Sequence, residues 1–247
     1  VIRFFSVAFL TVLLTASAAQ AVSLTVLGPA SILPGAKAAA AQFTAQTGIA
    51  VTVTGGSRDT VRQALAAGTG DVVLLPTTDF PDLTGVVGMT PLGNVPVGVA
   101  VKAGAPVPDI STPEKFRAVL KKAKGVAYAD PSAGTSAGKM IAYLLQEPDY
   151  AGVKKVPVQG LAVTGLASGQ ADIALQLLPE LANDPAVKLA GPVPTGLGVD
   201  FSAGMVAAGM NATEAQRFIA FLTSGEAAAL WKANGVHSLN NPIAQAK

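Results

Sequence analysis

The feature that most constrains this chain is an alternation. Short, nearly uninterrupted apolar runs rich in β-formers take turns with segments of helical periodicity. The runs at residues 23–27, 50–54, 71–75, 95–101, 125–129, 171–176 and 199–207 predict strands. Most lack the apolar–polar alternation of a one-sided sheet, so they suit parallel strands covered on both faces. Between them lie helical stretches with readable ends. A helix over 34–47 stops at Gly48, and one over 58–67 places Val61 and Leu65 on one face and stops at Gly68. Ser111 and Glu114 have capping-box spacing before Phe116, Val119 and Leu120, and Thr213 and Gln216 repeat it before Phe218, Phe221 and Leu222. A helix is expected over 138–146, and a last one over 225–234 carries Trp231 and ends at Gly235. Strands alternating with helices predict an α/β fold with mainly parallel sheet flanked by helices.

Two segments read as crossings between halves. Residues 91–101 and 191–208 each pass from Pro- and Gly-rich sequence into an apolar strand. If both are hinges, residues 22–94 with 202–247 form lobe 1 and residues 95–201 form lobe 2. Ahead of them, residues 1–21 have the layout of a cleaved export signal. Arg3 precedes an apolar run over 4–19, which ends in the small-x-small pattern Ala19-Gln20-Ala21. The absence of cysteine removes disulfides, thiolate chemistry and a lipid-modified anchor. The expectation is a monomer free in a periplasm, with no membrane anchor once the signal is gone.

Charge excludes other partners. The 17 basic and 15 acidic residues give a net charge of +2, and one of the positive charges, Arg3, lies in the leader. Nucleic-acid binding requires a basic stripe, which this balance does not supply. Lys121, Lys122 and Lys124 fall late in a helix, where they complement its dipole. With a single histidine and no cysteine, no metal site and no cofactor are expected.

Three turns from strand to helix carry hydroxyl residues. Ser31 precedes Pro34, Ser57 follows Gly55-Gly56 and precedes Arg58, and Thr135 and Ser136 precede Ala137-Gly138. A helix N-terminus presents unpaired N–H groups and partial positive charge, so it attracts anions. In open α/β sheets such turns gather at the carboxyl ends of the strands, where ligands bind. Any one of these residues is ordinarily a helix cap. Three together, with glycines that admit close approach, point to a small anionic ligand gripped from two sides. Asp79, at another strand end, suits a turn cap or a cleft wall. Tyr128 would meet an organic ligand only if its strand turned it into the cleft.

The stretch LTVLGPASILPGAKAAAAQFTAQTGIAVTVTGGSRDTVRQALAAGTGDVVLLP resembles the opening of molybdate-type periplasmic solute-binding proteins. YADPSAGTSAG is similar to their second-lobe Asp-Pro loop, and ASGQADIALQLLPEL and the Ala- and Phe-rich C-terminal helical pair resemble their later segments. The likeness extends over the whole mature chain. It implies a two-lobed type II periplasmic binding fold with two hinge crossovers, no enzyme activity, and delivery of a bound anion (molybdate, tungstate or a related one) to an ABC importer permease. It also implies ligand contacts at Ser31, Ser57, Ser136 and Ala137, with Thr135 beside them. The family's contacting tyrosine has no counterpart here. Gln176 stands at that strand end, and Arg58 follows Ser57 where a small residue is usual.

One rival has a different chemistry. Gly134-Thr135-Ser136-Ala137-Gly138 fits G-x-S-x-G, and Asp172, Asp184 or Asp200 and then His237 follow in Ser…Asp…His order. A secreted serine hydrolase using Ser136 and His237 is therefore the alternative. It requires a tight strand-to-helix elbow, yet Asp130 to Ala133 intervene, and no His-Gly-Gly-Gly oxyanion segment is present.

Overall fold

The computed structural model describes residues 22–56 and 58–237; the leader expected over 1–21 lies outside the described residues. The first part of the chain runs β1 (Ser23–Gly28), α1 (Leu33–Thr47), β2 (Ala50–Gly55), α2 (Arg58–Ala66) and β3 (Val72–Pro76). A long strand, β4 (Val86–Lys102), leads to α3 (Pro113–Lys122), β5 (Val126–Ala129), α4 (Ser136–Leu144), β6 (Lys155–Val158), α5 (Val163–Ala167), β7 (Ile173–Leu177), α6 (Leu178–Ala182) and β8 (Val187–Pro192). The chain returns through β9 (Gly198–Val206) to α7 (Ala212–Leu222) and α8 (Gly225–Ala233).

The strands join in the order β2-β1-β3-β9-β4-β7-β5-β6, with β8 also on β4. Each half holds three parallel strands: β1 with β2 and β3, and β5 with β6 and β7. The crossing strands are antiparallel to their neighbours. From Val86 to Pro96, β4 pairs with β9, and from Val97 onward it pairs with β7 and β8. The apolar runs at 95–101 and 199–207 were legible as strands, but their direction was not, because continuous burial and not orientation demands apolar residues on both faces.

Period-two alternation divides the core. Val72 and Leu74 of β3 belong to the main cluster, while Val73 and Leu75 face a second one with Leu27, Val61 and Val206. In the other half Val126, Ile173 and Leu175 face the main cluster, while Ala127 and Ala174 meet Ala162 and Leu166 around α5. Helices α1, α7 and α8 close the first half through Phe43, whose ring meets Phe218 and Phe221 at centroid distances of 5.1 and 5.6 Å. Trp231 donates its indole N–H to the Leu222 carbonyl at 2.8 Å.

Several details depart from the sequence expectation. Thr112, not Ser111, caps α3, accepting from the Lys115 amide. Helix α7 begins after Asn211, not at Thr213, and Asn211 turns its amide elsewhere, donating to the Ser23 carbonyl and to Asp71 at 3.1 Å each. Strands β6 and β8 carry Lys and Pro among their apolar residues and are partly exposed, so they lacked the signal of the buried runs.

Asp71 is 6% exposed and ties this half together. Its carboxylate accepts from the Thr25 amide at 2.8 Å and from Asn211, while its own amide donates to the Thr25 carbonyl at 2.8 Å. Asp71→Ala leaves buried donors without an acceptor, and a loss of about 2–3 kcal/mol of stability is expected in urea denaturation. A loss close to zero would show that the carboxylate holds nothing.

Candidate functional site

At the carboxyl ends of the parallel strands, the two halves face each other across a cavity of about 500 Å³. Pro29, Ser31, Asp59, Arg62, Pro76 and Asp79 line it from the first half, and Val199 and Phe201 from the crossing strand β9. From the second half come residues 133–139, Leu161, Gln176 and Glu180. This is the position where an α/β sheet leaves helix N-termini and loops free to meet a ligand.

The loop after β1 carries Ser31 at 3% exposure. Ile32 occupies the cap position of α1 and makes no side-chain capping bond, so Ser31 is a cavity-lining hydroxyl and not the cap of α1. Across the cleft, Asp130 caps a 3-10 turn, Pro131–Ala133, by accepting from the Ser132 amide at 2.8 Å. Hydrogen bonding by the Ser132 side chain, and then by its amide, holds the Asp130 carboxyl below its usual range. Gly134 then takes a left-handed conformation, φ 80°, that reverses the chain into α4. Thr135 caps α4, its hydroxyl accepting from the Gly138 amide at 3.2 Å. Ser136 and Ala137 thereby stand in the first helical turn at the cavity wall. Gly138 allows this approach, since a Cβ there would lie 2.7 Å from the Ala129 carbonyl oxygen.

Gln176 lines the cavity at the end of β7, as its position suggested, but both ends of its amide are engaged. Its oxygen accepts from the Ala162 amide at 2.6 Å, and its nitrogen donates to Glu180 at 2.6 Å. Glu180 sits in the first turn of α6, and burial pushes its carboxyl above the usual value, the Gln176 hydrogen bond partly opposing this. Ser57 and the Arg58 side chain lie outside the described residues. Tyr128 is buried in the main core and is not among the lining residues, and burial raises its hydroxyl.

Sequence reasoning missed Asp59, Arg62, Lys139 and Glu180. Asp59 and Arg62 are one turn apart on α2, and Lys139 follows the α4 turn already singled out, so their spacing was a usable signal. Glu180 was marked only by Pro179 after a strand end, a helix-start signature.

The hydrolase alternative fails on geometry. Ser136 opens a helix that a 3-10 turn separates from β5, so it is not on an elbow. His237 is absent from the cavity wall and pairs with Asn94, each amide donating to the other's carbonyl, at 2.7 and 2.8 Å. Among the described residues, no group of His, Cys, Asp or Glu is arranged to hold a metal, and no helix is long and apolar enough to cross a membrane.

The raised Glu180 carboxyl makes stability depend on pH. A group with a higher pKa in the folded chain binds its proton more tightly there. Its contribution is therefore greatest below the unfolded value and is lost as pH rises through the folded one. Glu180→Gln keeps an acceptor for Gln176 and removes that loss. Calorimetry should show a melting midpoint about 1–3 °C higher near neutral pH and a flatter pH slope than the parent; an unchanged slope would show that Glu180 is not desolvated.

Known proteins share this fold. A substrate-binding domain from Clostridium difficile, ascribed to a molybdenum ABC transporter, is 16% identical, with a TM-score of 0.71 over 88% of this chain and 99% of that one. Peb3 from Campylobacter jejuni, in a form with L-phospholactate bound, is 18% identical, with a TM-score of 0.66 over 87% and 99% of the two chains. At these identities the likeness is one of fold, the two-lobed type II periplasmic binding fold. In sequence, 141 residues (56% of this chain) are 29% identical to a protein named aconitate isomerase from Pseudomonas sp, and the match spans about half, 53%, of that protein. Residues 24–237 fit the family pattern described as bacterial extracellular solute-binding protein, and the chain belongs to that family.

Proposed function

We propose that this protein captures a small anion, an oxyanion such as molybdate or tungstate or a related anion, by closing its lobes and delivers it to the permease of an ABC importer. The observation that carries the reading is the shared cavity, lined by Ser31 on one side and the first turn of α4 on the other. The amides of Ser136 and Ala137 belong to the orphan N–H groups of a helix start, with Lys139 adding positive charge to the same wall and Arg62 to the facing one. Donors from both halves replace the ligand's hydration shell as the cleft narrows. In this reading Ser57 and Arg58, at the start of α2, complete the first-lobe grip. The lobes divide at residues 94/95 and 201/202, that is, within β4 and β9. The protein works as a monomer in the periplasm after loss of residues 1–21.

A ligand at one hundred times its Kd stabilises the folded chain by about 2.7 kcal/mol. For a chain of this size that is a rise of roughly 5–10 °C in melting midpoint. A thermal-shift screen of oxyanions and small organic acids is expected to reveal one such ligand, and Ser31→Ala is expected to reduce the rise by at least about a third. Silence across the whole screen would end the capture reading.

Capture without turnover is the expected behaviour. The relative named aconitate isomerase supplies the contrasting case, since moving a double bond needs a carboxylate that takes a proton from one carbon and returns it to another. Glu180 is the lining carboxyl with the raised proton affinity for that role. Proton NMR of cis-aconitate with the purified protein should show no conversion; conversion abolished by Glu180→Gln would replace capture with isomerisation.

A further inference from the structure

The described lining of the cleft places a carboxylate, Glu180, among the donors that would hold an anion. Asp59 and Arg62, one turn apart on α2, line it from the first half, and Glu180 and Lys139 line it from the second. A doubly charged oxyanion demands donors on every side, and a carboxylate in its first shell is repulsive. The remaining wall is largely apolar: Leu75, Leu161, Leu175, Val199 and Phe201 suit a carbon skeleton. About 500 Å³ is in the range of pockets that enclose organic ligands.

Glu180 is the carboxylate whose placement is built. Gln176, 7% exposed, is anchored through its oxygen to the Ala162 amide at 2.6 Å. Its nitrogen holds one Glu180 oxygen, Oε2, at 2.6 Å. Gln176 is thus committed at both ends and acts as a strut between β7 and α6. Its effect is to fix the carboxyl of Glu180, a residue that lines the cavity. Among the described residues Gln176 is the one hydrogen-bond partner of Glu180, so acceptor capacity remains on a fixed, half-buried group that faces the ligand space. A fixed acceptor is matched by a donor on the ligand, and a ligand that lacks one leaves it unpaired.

Resting on the anion-capture reading, we propose that the cleft selects a small organic acid that carries a hydroxyl, and that Glu180 is the specificity-determining residue that accepts the hydroxyl's hydrogen bond. The acid's carboxylate lies toward the α4 N-terminus and Lys139, and its hydroxyl lies toward α6.

The test is isothermal titration calorimetry with matched pairs that differ by one hydroxyl: lactate and propionate, L-malate and succinate, citrate and tricarballylate, with molybdate alongside. At least one hydroxy acid is expected to bind ~10-fold or more tightly than its deoxy partner and than molybdate. Glu180→Gln turns a donor toward the ligand. It is expected to reduce that preference to within ~3-fold while tightening binding of the deoxy acid, which a purely structural role for Glu180 would not do. Three results overturn the proposal and leave capture standing: equal binding within every pair, molybdate as the tightest ligand, or a preference unchanged in Glu180→Gln. Absence of heat from every compound, molybdate included, overturns the capture reading together with it. The matched-pair result on the parent protein decides the matter even if the variant fails to fold.

Discussion

β4 is 17 residues long, and it is hydrogen-bonded to β9 as far as Pro96 and to β7 and β8 from Val97 onward. A single strand therefore belongs to both halves, and everything else is placed by that handover. Because β9 runs back along it, antiparallel, the chain leaves the first half and returns to it side by side. The parallel strands of both halves then point their carboxyl ends into the same space. Asn94 reinforces the crossing: its side chain donates to Asp200 at 2.7 Å, and its backbone pairs with His237 beyond α8. The lone histidine, His237, thus serves the crossing through its backbone.

Close packing supports this frame by different means in each half. The first half uses aromatic and branched residues, with Trp231 lying so close to Gly35 that any Cβ there would collide with the indole ring. The second half packs α5 on alanines, and a Cβ at Gly165 would lie 2.5 Å from that of Ala127. Small residues bring a short helix close to the sheet, so interior density is kept without large side chains. The same economy appears at Gly138, where the absence of a side chain lets α4 begin against the end of β5.

The cleft combines two kinds of polar group. Thr135, Ser136 and Ala137 present neutral donors fixed by a helix start, which suit an anion. Glu180 presents an acceptor fixed by Gln176, which suits a donor. Family membership establishes a solute-binding protein; the division of labour within the cleft bears on which solute. The proteins this chain resembles are named for molybdenum, L-phospholactate and aconitate, so a shared fold does not by itself fix the solute.

Much of this was legible in the sequence. Apolar runs and glycine stops located seven strands and most helices, because burial and chain reversal impose those residues locally. The turns holding Ser31 and Thr135–Ser136 were recognisable because helix starts have their own chemistry. The direction of the crossing strands, the cap at Thr112, the start of α7 after Asn211, and the small edge strands were not. The sequence by itself determined which segments are buried and which turns are polar, since those follow from local periodicity and hydrogen-bonding needs. Only the tertiary structure decided that Ser31 and Ser136 share a cavity, that Gln176 is a strut and that Glu180 faces the ligand space. Those relations join residues far apart in the chain, and β4 and β9 bring them together through pairings that no local pattern encodes.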